Sequence, residues 1–73
     1  MEERITRSID AHISRFLAET GETVEQLAEY LGITSNTLRN KRAGRTDWQF
    51  AEIVKLSELL CKSLTDLAYH GLD

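Results

Sequence analysis

Apolar residues recur at helical rather than strand spacing along the whole chain. In "ITRSIDAHISRFLAET", Ile5, Ile9, Ile13, Phe16 and Leu17 fall at steps of three, four and one. That spacing places them on one face of a first helix, which Gly21 ends. The stretch "TVEQLAEYLG" follows, with Thr23 and Gln26 at capping-box spacing: the hydroxyl takes a backbone N–H three residues on while the amide reaches back. A second helix therefore starts there. Leu27, Ala28 and Leu31 supply its buried side, and Gly32 offers the positive φ of a tight exit. Ile33 is expected to turn back into the core, after which Thr34 or Ser35 caps a short third helix running to about Ala43 and closed by Gly44.

This third segment differs from the others. Leu38 is its main apolar anchor, surrounded by Ser35, Asn36, Thr37, Arg39 and Asn40. A helix so polar is expected to face outward rather than fill a bundle. Thr46 and Gln49 repeat the capping-box spacing and predict a fourth helix, whose Phe50, Ile53, Val54, Leu56, Leu59 and Leu60 form a broad apolar arc expected to be largely buried. Ser63, with Asp66 three residues on, caps a last helix in "LTDLAYH" that folds Leu64, Leu67 and Ala68 onto the rest.

Composition agrees with this pattern. There is no proline, there are four glycines, and no alternating β-branched run suggests a strand. The expected fold is all-α, a compact bundle of five short helices. At 73 residues the chain is read as one domain, 1–73, long enough to close a single small core without a disulfide or metal. Cys61 stands alone, so neither a disulfide framework nor a thiolate zinc cage forms within the chain, and a reducing cytoplasm fits best. The charged start "MEERITRSID" has no signal-peptide core, and no apolar run reaches the length of a membrane span, so a soluble protein without a membrane partner is expected. His12 and His70 have no triad arrangement and no second cysteine beside them. No catalytic residue, metal or cofactor is expected, and the chain is not read as an enzyme.

Charge changes the picture more than composition does. The net charge is −3, which taken alone argues against nucleic acid. Its distribution argues the other way. Between Glu19 and Glu29 every charge is negative, while Arg39, Lys41, Arg42 and Arg45 crowd into seven residues with no acid among them.

Two helices joined at "LGI", the second displaying small polar side chains, describe a helix-turn-helix. The segment "TVEQLAEYLGITSNTLRNKRAG" resembles that motif in the Cro and phage-repressor (XRE-type) family, with Ala28 where the helices pack tightly, Gly32 at the corner and Leu38 at the core contact. "GRTDWQFAEIVKLSELLCKSLTDLAYH" is similar to the closing helices of small phage-type members. The resemblance spans about residues 8 to 70 and implies a lambda-repressor-like fold. There are departures. Val24 replaces a glutamine that braces a phosphate or base in many members, Lys41 and Arg42 stand where many relatives have an apolar residue followed by an acidic one, and Cys61 replaces a frequent glycine.

The resemblance implies a regulator that binds operator double-stranded DNA, usually as a homodimer, with the third helix in the major groove. By matching motif positions, Ser35 and Asn36 point most directly at bases, with Thr37, Arg39 and Asn40 next along the face. Thr23, Arg42, Arg45 and Thr46 grip phosphates, with Lys41 a weaker candidate. The cations then gather where phosphates lie, and the acids are expected on other faces. The homodimer interface is expected near the C-terminal segment, with Leu59, Tyr69 and Leu72 as candidates. A protein partner for the basic patch is the alternative use of the same scaffold. Each residue also has a plainer reading: "RNKRAGR" as a solvated last turn, Thr23 and Thr46 as caps, Trp48 as a core aromatic, Cys61 as a small apolar packer and His12 as a buried or snorkelling side chain.

Overall fold

The computed structural model describes every residue from Met1 to Asp73 and is all-helical. The elements are α1 (Glu3–Thr20), α2 (Val24–Leu31), α3 (Ser35–Arg42), α4 (Phe50–Leu60) and α5 (Leu64–Tyr69). The body measures 25 × 25 × 19 Å. Helix α1 is the spine on which α3, α4 and α5 lie, and α2 crosses to α3 and α4.

One core holds the five helices together. Ile9 and Ile13 of α1, Leu27, Ala28 and Leu31 of α2, Leu38 of α3, Trp48, Leu56 of α4 and Leu67 of α5 are all buried. Ile5, Leu17, Val24, Ile33 and Ile53 pack half-buried around them. Burying each large apolar side chain is worth about 1.5–3 kcal/mol, and nine buried groups suffice for a chain of this length.

The turns follow local chemistry. Thr23 Oγ1 accepts the Gln26 N–H at 3.1 Å, and Gln26 Oε1 accepts the Thr23 N–H at 2.8 Å, completing the expected capping box of α2. Gly32 leaves α2 at φ 75°, and its N–H returns to Glu29 O at 3.1 Å. Thr34, not Ser35, caps α3 through the Thr37 N–H. Gly44 closes that helix at φ 81°, two residues after Arg42.

The start of α4 corrects the sequence reading. Thr46 caps nothing. The helix begins at Phe50, with Gln49 at the cap and the Glu52 carboxylate accepting the Gln49 N–H at 2.8 Å. A capping-box spacing recurs at 46/49 and 49/52, and the second register wins because it lets Trp48 drop into the core before the helix starts. The apolar arc of α4 is also less covered than expected. Leu56 is fully buried, Ile53, Val54, Leu59 and Leu60 are half-buried, and Phe50 lies 71% exposed. Five short helices do not supply enough partners for so wide an arc.

Helix α5 is clasped to α1 by polar groups as well as by Leu67. Ser8 Oγ donates to Leu67 O at 2.7 Å and accepts the Gly71 N–H at 2.8 Å. His12, buried as one of its readings held, has Nε2 2.8 Å from Asp66 O; a carbonyl only accepts, so the proton sits on Nε2. Gly71 lies so close to α1 that a Cβ there would sit 2.1 Å from Ser8 O. Cys61 ends α4 in the left-handed region at φ 55°, where glycine is the easy choice. It is exposed, so it is a helix terminator and not the apolar packer expected.

Candidate nucleic-acid interface

Helix α3 is seated by one side and open on the other. Leu38 is fully buried, and Lys41, three residues on, shares that face one turn below it. Asn36, Arg39 and Asn40 are set at steps of three and four on the opposite face. Asn36 and Arg39 are exposed, while Ser35, Thr37 and Asn40 are half-buried at its margins. The Thr37 hydroxyl accepts from Thr34 Oγ1 at 2.8 Å, and Asn40 Oδ1 accepts from Arg45 Nη1 at 3.2 Å. The five residues expected at bases thus lie on one short helix, two of them fully outward.

The cations are arranged differently from the expectation. Lys41 is 6% exposed, and its Nζ sits 3.0 Å from Glu52 Oε1 and donates to Asp47 O at 2.9 Å, with the Trp48 ring 6.0 Å away. It cannot reach a phosphate from there. Its place one turn below the buried Leu38 carries it inward, and Glu52, on the apolar arc of α4, supplies the counter-charge a buried ammonium requires. Trp48 covers this pair from the side, as a core aromatic. Its own indole N–H has no acceptor.

Arg42 is half-buried and turned toward α1, where Nε donates to Asp10 Oδ1 at 2.5 Å and Nη2 donates to Ser14 Oγ at 3.0 Å. Arg39 Nη2 lies 3.7 Å from Glu25 Oε2, both side chains being largely exposed. Acids are therefore not kept to other faces. Of the four clustered cations only Arg45 has no carboxylate partner. An exposed pair such as Arg39–Glu25 holds its partners by only about 0.2–1 kcal/mol, so that guanidinium remains free to change partners.

Around this helix the remaining expected residues occupy its flanks. Thr23 is exposed at the start of α2, and with its hydroxyl bound to Gln26 the first α2 amides are left free at the positive end of the helix dipole. Val24 there is half-buried against the core. Arg45 and Thr46 are exposed in the loop between α3 and α4. Sequence reading missed Asp10, Ser14, Glu25 and Glu52. The one available signal was an acid inside the apolar arc of α4, since Glu52 precedes the core residue Leu56 by four positions.

No group of side chains in the structure is arranged to hold a metal ion, and no helix is long and apolar enough to cross a membrane. A family model described as the Cro/C1-type HTH DNA-binding domain matches residues 12–71. No curated protein and no solved structure matches the chain.

Proposed function

The chain belongs to the Cro/C1-type helix-turn-helix DNA-binding family, and from that premise we propose that it is a sequence-specific, repressor-like transcriptional regulator of the small phage type. It lays α3 in the major groove of operator DNA and acts as a homodimer in the cytoplasm. The observation that carries this reading is the outward polar face of α3, with Asn36, Arg39 and Asn40 aligned and its underside locked by Leu38 and Lys41. A major groove admits one helix and displays a distinct donor and acceptor pattern for each base pair. Asn36 and Asn40 suit adenine N6 and N7, Arg39 suits guanine O6 and N7, and Ser35 and Thr37 border the same edges.

Phosphates on either side are gripped by Thr23 with the first α2 amides, and by Arg45, Thr46 and Arg42 in and before the following loop. Lys41 leaves this set because its charge is used internally. A single module of this size makes few such contacts, and two copies on half-sites about 34 Å apart multiply them. Tyr69 and Leu72 are 58% and 49% exposed and supply apolar surface for a second copy, whereas Leu59 is partly spent on the core. Occupying an operator in this way regulates by excluding polymerase or a competing protein.

The net charge of −3 favours a second reading, in which the basic patch engages an acidic protein such as a repressor or polymerase subunit. Titration with duplex carrying the chain's own upstream region, at several salt concentrations, separates the two. DNA binding gives a linear fall of log affinity with log salt, each neutralised phosphate contributing about −0.9 to the slope. Arg45→Ala lowers affinity for every sequence and flattens that slope by about one such step, while Asn36→Ala relaxes sequence preference at constant slope. A salt-independent affinity, or none, defeats the proposal.

A further inference from the structure

We propose that Asp10 is an internal occupant of a phosphate subsite: its carboxylate and the Ser14 hydroxyl hold Arg42 in the position that a DNA phosphate takes over on binding. The inference rests on the DNA-binding reading above and concerns how strongly the same surface binds. Two geometrical facts support it. Arg42 directs Nε and Nη2 side by side at a carboxylate oxygen and a hydroxyl, 2.5 and 3.0 Å away, which is the fork by which a guanidinium grips phosphate oxygens. The pair also lies in a shallow open groove lined by Asp10, Arg39, Arg42 and Ala43, so an arriving anion meets two guanidinium groups there.

Comparison with the other two pairs isolates this one. Lys41 and Glu52 have side chains 7% and 12% exposed, sealed from any competing anion. Arg39 and Glu25 are 61% and 64% exposed and 3.7 Å apart, too loose to block an approach. Arg42 and Asp10, at 22% and 36%, are bound closely and yet reachable. The pair is not what alone brings α1 and α3 together, since Ile9 and Ile13 of α1 and Leu38 of α3 share one buried core. A carboxylate at this place lowers the charge offered to DNA by one and repels the phosphate that replaces it. The chain thereby weakens its own hold on non-operator DNA, where phosphate contacts supply nearly all the affinity.

The test is fluorescence anisotropy with a mixed-sequence duplex over a salt series, using wild type, Asp10→Asn, Asp10→Asn with Arg42→Ala, and Glu29→Gln. The last removes an exposed acid of α2 that has no ion pair and controls for net charge. On this mixed-sequence duplex wild-type Arg42 stays with Asp10 and yields to phosphate only on the operator, so Asp10→Asn is expected to bind about two- to fivefold tighter, with a salt slope steeper by about 0.9. Neither the double variant nor Glu29→Gln is expected to show the steeper slope. Asp10→Ser gives the same readout should asparagine disturb α1, and thermal melts by circular dichroism confirm that each variant is folded. Weaker or unchanged binding by a folded Asp10→Asn, or an equal gain in Glu29→Gln, overturns the inference while leaving the proposed function standing. Absence of duplex binding by both wild type and Asp10→Asn overturns both.

Discussion

The seam between α1 and α5 and the outward face of α3 are built from similar residue types and used in opposite ways. At the seam, Ser8, His12 and the backbone of Gly71 are turned inward, and the named polar contacts close on partners within the chain. On α3, Asn36 and Arg39 point away from the body, with no hydrogen bond for the first and a loose ion pair for the second. A polar group with a buried partner contributes to stability and is costly to remove, whereas one left to water contributes little to the fold and is available to a ligand. The same distinction divides the cations: Lys41 belongs to the interior and Arg45 to the surface.

Substitutions can break this contrast, and the largest effect is expected at the seam. Gly71→Ala puts a methyl into the Ser8 carbonyl, where the contact is with backbone and not a movable side chain. A loss of about 3 kcal/mol or more is expected, read as a lowered urea midpoint, with the turn at Gly71 forced away from α1. Next comes the interior ion pair. Glu52→Leu leaves a buried ammonium uncompensated and should cost about 3–5 kcal/mol, whereas Lys41→Leu with Glu52→Leu should recover most of that, short of wild type by about 0.5–2 kcal/mol for the α4 cap that Glu52 makes to the Gln49 N–H. Chemical denaturation of the single and double variants checks this. Equal losses in both would show that Lys41 is not held inward by its charge partner.

Smaller effects sharpen the comparison from the other side. Cys61→Gly relieves a left-handed residue costing about 1–2 kcal/mol but adds unfolded-state entropy worth about 0.4–1, so a net gain of about 0.5–1 kcal/mol is expected as a raised Tm. Least of all, Asn36→Ala should move stability by less than about 0.5 kcal/mol. Should Asn36→Ala destabilise as Gly71→Ala does, α3 would be a structural helix and its exposed face would have no claim on a ligand.

How much of this was legible varies by residue. The capping box of α2, the glycine corners at Gly32 and Gly44, and the burial of Leu27, Ala28, Leu31 and Leu38 depend on neighbours within a few positions, and spacing alone located them. The start of α4 was misplaced because two overlapping registers satisfy the same local rule, and the choice belongs to Trp48, whose burial is a tertiary event. The candidate site was legible as a cluster of cations and small polar residues but not as a set of charges. The partners of those cations come from positions 10, 25 and 52, on three other helices.

By itself the sequence determined the helical periods, their stops and the polar character of α3, since hydrogen bonding and side-chain spacing along one helix are settled within a few residues. Tertiary structure decided which charges remain available. Coulomb attraction acts through space, so whether Lys41, Arg42 and Arg45 end as core, clasp or surface depends on which helices pack beside them, and no reading along the chain contains that distance.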